Sequence, residues 1–502
     1  MALVTRFVVQ AVAAVVLCAW LISPVDAAPT NVLFIIVDDL NTDLGAYGHP
    51  LAITPNIDRL AESGVLFERA YVQAAVCAPS RESLLTGLYP GQTGVTDNYK
   101  HGGQPHPVFY DTAPDAVSIP TWFRRNGYYT ARVGKVFHQG VPDGIGEPGP
   151  DDPAAWDKAR DPAGLDVAPE TIAAIHSINP DPGNRSFGGT LSWLAVDAPD
   201  SAFTDGLVAS EAIGLLEEHQ NERPETPFFL AVGFYLPHTP LVAPEKYFDM
   251  HPLDAIEPEP VSQESIAGKP AASFNPRPFT GDMTRETRKK VIQAYYASVA
   301  YVDAQIGRVL DALARSPFAE NSIVVLLSDN GFHLGRDGRW QKGDLAEHGV
   351  RIPLIVRAPG EFASGARAGA PVEALDLFPT LTELTGIPAP EHLAGRSLVP
   401  MLADPDSEVR TTALTTMRSL QQVDGKWINL VRGYSIRTRN LRYTEWADGA
   451  AGHELYDYDA DPTEQRNLVL DYTDAGRRML MRRLLLDHQR RATQNPFETD
   501  TG

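Results

Sequence analysis

Cysteine is scarce in this chain, which has two cysteines among 502 residues. Cys18 lies in an N-terminal apolar stretch of the kind that is removed from exported proteins, which leaves Cys77 in the mature chain. A single cysteine excludes an intrachain disulfide, and an odd cysteine in an exported protein calls for an explanation. Two explanations stay open here. Cys77 is either a small buried apolar side chain or a thiol that is chemically modified into the reactive group of an enzyme.

Positive charge is also in short supply. The chain has 43 Lys and Arg residues against 64 Asp and Glu residues, a formal net charge of −21. This balance argues against nucleic acid and against anionic membrane surfaces as general partners. It does not exclude a small anionic substrate, because a pocket can be locally basic within an acidic surface.

Long apolar runs are missing after the N-terminal stretch. In that stretch Arg6 precedes an apolar segment at 7–22, and small residues suited to cleavage follow at 25–28. We therefore predict a signal peptide over 1–28, export to the periplasm or the cell exterior, and no stable membrane association after cleavage. An uncleaved anchor is the main alternative, whereas lipid attachment at Cys18 is disfavoured by the bulky residue before it.

The mature chain predicts strands that alternate with helices. Apolar runs of strand length, without polar alternation, occur at 31–37, 129–133, 227–234, 322–327 and 353–356. Such strands are buried on both faces, as in a parallel sheet covered by helices. Helices are predicted over 54–62, with Gly64 as the stop, and over 288–314 from apolar residues at helical spacing. The pattern predicts an α/β fold.

Other parts of the chain lack this alternation. The segments 139–199 and 252–282 are rich in Pro, Gly and Asp and are predicted to form long loops that shape substrate access. The C-terminal part changes character near Met401, and its predicted strands, turn-rich segment and helix cover 427–446, 454–468 and 474–491. We therefore predict a catalytic domain at 29–400 and a smaller C-terminal α+β subdomain at 401–502.

Oxygen-bearing side chains follow two of the predicted strands. Asp38 and Asp39 follow the first strand, and Asp329 and Asn330 follow the strand at 322–327. Ligands of parallel α/β sheets bind beyond the carboxyl ends of the strands. A carboxylate after a single strand is usually a helix cap or a solvated loop residue. Two such pairs at equivalent ends favour a site for Ca²⁺, or less readily Mg²⁺.

Basic side chains follow the other strands or lie in the loops beyond them. They are Lys135, His138, His238 and Lys342. Taken singly, each lysine would be a solvated surface residue and each histidine a structural hydrogen-bonding group. Together they predict a cationic pocket beside the metal site, which would hold a tetrahedral anion and move protons during its transfer.

The run Cys77-Ala78-Pro79-Ser80-Arg81, followed by Leu85-Thr86-Gly87, resembles the signature of the type I, formylglycine-dependent sulfatases. The resemblance covers nearly the whole mature chain, with landmarks at 31–39, 54–58, 328–331 and 351–355. It is closest to the iduronate-2-sulfatase branch, on the segments 134–138, 231–238 and 433–438. It implies an alkaline-phosphatase-like sandwich, with a large mixed, mainly parallel sheet covered by helices. It also implies an enzyme that removes sulfate from a sulfated sugar.

The resemblance implies a role for Cys77. A formylglycine-generating enzyme would oxidise it to formylglycine, whose hydrate carries two hydroxyls on one carbon. One hydroxyl attacks sulfur as the alcohol leaves, and the other loses its proton so that the carbon expels sulfate and the aldehyde reforms. Ca²⁺ would be held by Asp38, Asp39, Asp329 and Asn330, with the modified Cys77 as a further ligand.

The resemblance also assigns roles to the basic residues. Arg81 would orient the hydrate, and Lys135 and His138 would contact it, with His138 as the base that collapses the intermediate. His238 and Lys342 would bind sulfate oxygens, and one of the two would protonate the leaving alcohol.

Some features leave the substrate open. The second metal pair is Asp-Asn, where the iduronate branch typically has Asp-His, and 335–340 departs from the usual loop sequence. Arg437, Arg439 and Arg442 would either meet a uronate carboxylate or form an exposed strand face. His333 is expected to make a structural hydrogen bond.

Two other functions remain as alternatives. One is a phosphonate or phosphate ester hydrolase of the same superfamily. The other is a non-catalytic glycan-binding protein on an inactive scaffold, against which stands a competent side chain at every position that the chemistry needs.

Overall fold

The computed structural model describes residues 30–98, 108–181, 187–275, 279–360, 362–423 and 426–497, without the side chains of 420–423 and 426–430. The predicted signal peptide lies outside the described residues. Among the helices that are described, none is both long enough and apolar enough to cross a membrane.

The strands of the described chain are numbered here in chain order. They are β1 (Asn31–Val37), β2 (Val65–Phe67), β3 (Ala70–Tyr71), β4 (Tyr129–Gly134), β5 (Lys158–Arg160), β6 (His176–Ser177), β7 (Ser192–Val196), β8 (Phe228–Phe234), β9 (Leu241–Pro244), β10 (Ser322–Ser328), β11 (His333–Leu334), β12 (Trp340–Gln341), β13 (Arg351–Ile352), β14 (Leu354–Arg357), β15 (Ala366–Ala368), β16 (Val372–Glu373), β17 (Ala413–Val423), β18 (Lys426–Arg437), β19 (Leu441–Trp446) and β20 (His453–Asp457).

The α-helices are named by their residues. They are Pro55–Ser63, Cys77–Thr86, Pro90–Thr93, Phe109–Thr112, Ile119–Arg125, Pro169–Ala174, Thr204–Glu222, Glu245–Asp249, Gln263–Ala267, Arg285–Arg315, Glu347–Val350, Leu377–Thr385, Val399–Ala403 and Ala475–Thr493.

The centre of the molecule is an eight-stranded sheet with the order β15-β2-β14-β10-β1-β8-β4-β5. From β10 to β5 the neighbouring strands run parallel. β14 runs antiparallel to β10 and to β2, while β15 pairs in parallel with β2. The sheet is therefore mixed and mainly parallel, which confirms the predicted fold class.

Helices cover both faces of this sheet. Alternate residues of β1, starting from Leu33, pack in a core with the helices Thr204–Glu222 and Arg285–Arg315. The other residues of β1, starting from Val32, pack in a second core with the helix Cys77–Thr86. Every residue of β1 is buried, which explains why its sequence shows no polar alternation.

Strand register brings the ends of four strands to one edge of the sheet. Val37, the last residue of β1, pairs with Ser328 of β10 and with Phe234 of β8. Gly134 of β4 pairs with Gly233 of β8. The residues that follow these strands therefore emerge side by side.

The C-terminal part forms a second, four-stranded antiparallel sheet in the order β17-β18-β19-β20. The helix Ala475–Thr493 packs against it through Met481 and Leu485. A smaller C-terminal α+β subdomain is thus confirmed, while its boundary at residue 401 stays a prediction.

A buried polar cluster joins this part to the main body. Arg410 contacts Glu373 and Asp376, and the hydroxyl of Tyr89 donates to Glu373 at 2.6 Å and lies 2.7 Å from Nε2 of His488. These side chains are at most 6 % exposed. The last helix is therefore held to the main body by charged and hydrogen-bonded groups.

The predictions were wrong for several short or polar strands. The segment 139–199, predicted as loop, contains β5, β6 and β7, and the segment predicted as turn-rich contains β20. β5 has three residues, each at least partly exposed, so it lacks the apolar run that marks the central strands. β17 begins well before the predicted strand region.

Candidate active site

Three carboxylates and one sulfur atom meet at the carboxyl edge of the main sheet. Ligand atoms of Asp38, Asp39, Cys77 and Asp329 all lie within 4.8 Å of one another, and all four residues are buried. The backbone of Asp39 adopts a φ of 63°, and its N–H donates to Oδ1 of Asp329 at 3.1 Å. The left-handed backbone is uncommon outside glycine, and here it turns the chain sharply after β1.

Asn330 adds an oxygen to this group. Its Nδ2 donates to Oδ1 of Asp39 at 2.8 Å and to the carbonyl of Gly331 at 3.0 Å. Its Oδ1 is buried and has no hydrogen-bond partner among the described atoms. A buried acceptor without a partner is costly. Three carboxylates with this amide oxygen form the hard-oxygen donor set that Ca²⁺ or Mg²⁺ takes, so the residues present fit such an ion.

The helix Cys77–Thr86 supplies the sulfur atom and a cation. Cys77 is its first residue and Arg81 follows one turn later, so both side chains lie on one face. The Cys77 Sγ lies 3.6 Å from Oδ1 of Asp38 and 2.7 Å from Nζ of Lys342. The thiol therefore faces a carboxylate on one side and an ammonium group on the other.

Arg81 is buried completely and uses its whole guanidinium group. Nε donates to Asp329 at 2.8 Å and Nη2 to Asp38 at 3.3 Å. Nη1 donates to the carbonyls of Lys135 and Val136 at 2.7 and 2.9 Å. One side chain thus fixes the ends of β1, β10 and β4 relative to one another.

The remaining basic residues surround the carboxylates. Nζ of Lys135 lies 2.5 Å from Oδ2 of Asp38, and Lys342 contacts Asp39. Nε2 of His238 lies 4.0 Å from Oδ2 of Asp39, while its Nδ1 lies 2.6 Å from the carbonyl of Thr239. Because a carbonyl only accepts, Nδ1 carries the proton and Nε2 faces the carboxylates.

Burial and mutual charge shift the acidities of these groups. Burial would raise the pKa of Asp38, yet the positive charges of Lys135, Arg81 and Lys342 hold it well below its usual range. Burial raises the pKa of Asp39. Burial, the charge of Lys342 and that of Lys135 lower the pKa of His238 to about 3, against the opposing charge of Asp38. The chain's own groups therefore favour an ionised Asp38 and a neutral His238.

A cleft of about 460 Å³ opens onto this cluster. Asp39, His138, His238 and Lys342 line its inner part. The rest of the lining combines apolar residues and the charged Asp97, Asp143 and Arg418 with neutral hydrogen-bonding side chains, among them Thr96, Asn98, Gln139, Asn275 and Gln341. The volume falls within the range of small-molecule sites, and the lining offers donors and acceptors for a polar ligand.

The structure brings every site residue predicted from the sequence to this cluster or its cleft. His333, expected to have a structural role, lies with Nε2 3.0 Å from Oδ1 of Asp344. Of the three C-terminal arginines, Arg437 and Arg442 match neither expectation, whereas Arg439 is exposed. Arg437 and Arg442 are buried in ion pairs with Glu347 and Glu464, and Arg439 pairs with Glu408 on the surface. None of the three lines the cleft.

Sequence reasoning missed several residues of the cleft, two of which are Arg418 and Asn98. Arg418 reaches it from β17, and Asn98 lies in the wall while its Oδ1 accepts from the N–H of Ala78 at 2.9 Å. Neither residue stands after a predicted strand or in a recognisable motif, so no signal in the sequence distinguishes them.

Comparison with known proteins agrees with this geometry. The sulfatase family model matches residues 30–387, and the model for the C-terminal region of N-sulphoglucosamine sulphohydrolase matches 335–491. A sulfatase of Formosa agariphila is 34 % identical over 87 % of this chain and 82 % of its own length. The human iduronate 2-sulfatase is 31 % identical over 88 % of this chain and 91 % of its own.

Solved structures show the same architecture. The phosphonate monoester hydrolase of Agrobacterium radiobacter superposes with a TM-score of 0.72 at 25 % identity, covering 92 % of this chain and 96 % of that one. A 2-O GAG sulfatase superposes with a TM-score of 0.68 at 22 % identity, covering 93 % of each chain. The predicted alkaline-phosphatase-like fold is thereby confirmed. With a family model matched over most of its length, the chain belongs to the sulfatase family and is a sulfatase.

Proposed function

We propose that this sulfatase removes sulfate from a sulfated sugar, in the manner of iduronate 2-sulfatase, with Cys77 converted to formylglycine and a Ca²⁺ ion bound beside it. The observation that carries the proposal is the placement of Cys77 among Asp38, Asp39 and Asp329. The human and mouse iduronate 2-sulfatases, each 31 % identical over most of this chain, support the substrate class. The neutral hydrogen-bonding side chains in the cleft suit sugar hydroxyls.

We assign the metal to Asp38, Asp39, Asp329 and Asn330, with the modified Cys77 as a further ligand. When bound, the ion would polarise sulfate oxygens and acidify the nucleophilic hydroxyl. The hydrate of formylglycine would supply that hydroxyl and, as a geminal diol, a route for releasing sulfate.

The other residues act by position and charge. Arg81 fixes the first turn of its helix against Asp38 and Asp329, so the group at position 77 is held over the carboxylates. Lys342, 2.7 Å from the sulfur atom, is placed to bind a sulfate oxygen next to that position. His238 faces the same space through Nε2. Either Lys342 or His238, the latter once an anionic sulfate ester beside Nε2 has raised the pKa of its imidazole, protonates the leaving alcohol. His138, in the cleft wall, serves as the base.

We also propose that the chain is exported through a signal peptide at residues 1–28. A formylglycine-generating enzyme would act on Cys77 during maturation.

The reaction class is tested by comparing the rates of hydrolysis of a sulfate ester and a phosphonate ester. Purified protein, produced with a formylglycine-generating enzyme, is expected to show a higher kcat/KM for an aryl sulfate than for the matched aryl phosphonate monoester. The phosphonate reading is the second candidate, because the Agrobacterium radiobacter enzyme shares 25 % identity and the fold. A preference for the phosphonate would contradict the proposal. Rates on 2-O-sulfated uronate saccharides then test the sugar.

Metal removal tests the assigned ligands without relying on turnover. After chelation, adding Ca²⁺ is expected to raise the thermal midpoint, and at about 100 times the dissociation constant the gain corresponds to about 2.7 kcal/mol. Mg²⁺ at the same concentration should give less, because it accepts this number of protein oxygens less readily.

The matched variant for this measurement is Asn330→Ala, which removes the buried amide oxygen. We expect it to reduce the midpoint gain with Ca²⁺. The control is Asn440→Ala, whose side chain bonds Asp459 far from the cluster. An equal gain in all three proteins would rule out Asn330 as a ligand.

A further inference from the structure

The outer wall of the cleft contains a positively charged side chain that the mechanism does not use. Arg418 lies on β17 of the C-terminal sheet and lines the cleft together with its neighbour Met417. Arg418 is half-buried. It therefore enters the cleft from the C-terminal sheet, whereas the metal-binding carboxylates enter from the main sheet.

A second arginine stands beside it. In the antiparallel pairing of β17 with β18, Arg418 lies directly opposite Arg432. Side chains in such positions share one face of the sheet with their Cβ atoms about 5 Å apart, and like charges there destabilise the sheet. Arg432 donates to the hydroxyl of Tyr434 at 3.4 Å, a neutral partner.

Neither arginine has an ion-pair partner among the residues that the structure describes. By contrast, two other arginines of the same sheet, Arg437 and Arg442, are each neutralised by a buried glutamate. Arg418 lines the cleft without a carboxylate partner among the described residues, and Arg432 lies opposite it on the neighbouring strand, so Arg418 provides a site for an oxyanion from outside the protein.

We propose that Arg418, supported by Arg432, binds a second anionic group of the substrate while the scissile sulfate lies at Cys77. This inference rests on the proposed function and deepens it: the substrate is a saccharide with at least two negative charges. The second group is an oxyanion, either a uronate carboxylate or a further sulfate.

Acidic side chains elsewhere in the cleft give the ligand a direction. Asp97 and Asp143 also line it, and Oδ1 of Asp97 accepts from the N–H of Asn98 at 2.7 Å. Like-charge repulsion disfavours an anion beside either carboxylate. Arg418 supplies the guanidinium group among the described lining residues, so an anion in the cleft is attracted to it, which makes the arginine a specificity-determining residue.

The test compares Arg418→Gln with the parent protein on two substrates. On a 2-O-sulfated uronate disaccharide, kcat/KM is expected to fall roughly ten- to hundredfold, mainly through KM, because a charged hydrogen bond is lost. On an aryl monosulfate, which has no second anion, kcat/KM should change less than about twofold. Arg418→Lys should restore part of the loss, and Arg432→Gln should give a smaller loss than Arg418→Gln.

Two further arms identify the anion. The same disaccharide with its carboxylate reduced to an alcohol, and a disulfated sugar without a carboxylate, are assayed on the parent protein and on Arg418→Gln. Whichever anion is recognised is the one whose presence makes the rate sensitive to Arg418→Gln. The control variant is Arg439→Gln, whose ion pair with Glu408 is about half exposed and away from the cleft.

Binding separates this inference from the proposed function. Calorimetric titration of the disaccharide into Cys77→Ala and into Cys77→Ala/Arg418→Gln requires no turnover, and the second protein should bind about tenfold or more weakly. Equal affinities, or equal losses on the disaccharide and the aryl sulfate, overturn the role of Arg418. If the arginine effect on binding is present but no sulfate ester is cleaved by the parent protein, the proposed function alone fails.

Discussion

Replacing Cys77 by alanine is expected to lower kcat on a sulfate ester by about 10⁴-fold or more and to leave the fold intact. The residue supplies the reacting atoms, and removing a covalent nucleophile typically leaves only the contributions of binding and charge. The cost to stability is small, because deleting one buried sulfur atom costs about 1 kcal/mol. The measurements are initial rates and the thermal midpoint of the purified variant.

The matched control for Cys77→Ala is Ser83→Ala in the same helix. The Ser83 hydroxyl is buried and has no hydrogen-bond partner in the described part of the chain. Its loss should leave the rate within about twofold of the parent value. The mass of the tryptic peptide 70–81 from active protein completes the experiment. An aldehyde or its hydrate supports formylglycine, and an unmodified thiol at full occupancy would remove it from the proposal.

The second large effect is expected for Arg81→Ala, which should destabilise the protein by about 3–5 kcal/mol and abolish turnover. Asp329 and Asp38 would each lose a buried guanidinium contact, and the carbonyls of Lys135 and Val136 would lose their donor. Arg81→Lys should recover only part of the stability, because one ammonium group cannot reach four acceptors spread around a guanidinium fork. Urea and thermal midpoints, taken at one scan rate, measure the change.

A surface arginine provides the comparison. Arg59 pairs with Asp311 at 2.7 Å, and the two side chains are 53 % and 46 % exposed. Arg59→Ala should cost less than about 1 kcal/mol, since solvent screens the pair. Similar midpoint shifts in Arg59→Ala and Arg81→Ala would contradict the view that Arg81 joins the strand ends.

The central strands and the catalytic edge were predictable because burial on both faces leaves a clear pattern. β1, β8 and β10 are continuous apolar runs, and the polar residues after them have no role in a core. Parallel strands share one carboxyl edge, so the grouping of Asp38 with Asp329 follows from the sequence alone. Their distances and partners required the structure.

The rim of the cleft was not predictable in the same way. Arg418 and Arg437 lie on neighbouring strands. The charge of Arg437 is neutralised by Glu347, whereas Arg418 lines the cleft. That difference depends on contacts between residues 90 positions apart in sequence. Short edge strands such as β5 were not predicted, because their partly exposed residues show no hydrophobic alternation.

The burial of Cys77 also determines when, relative to folding, the residue can be modified. The residue has 0 % solvent exposure, in the first turn of a helix packed on the central sheet. A second protein that must enclose this residue and its flanking segment cannot do so once the sheet has formed. The proposed oxidation of Cys77 must therefore occur after synthesis and before folding. A chain that folds before it is oxidised would keep an unmodified thiol and stay inactive.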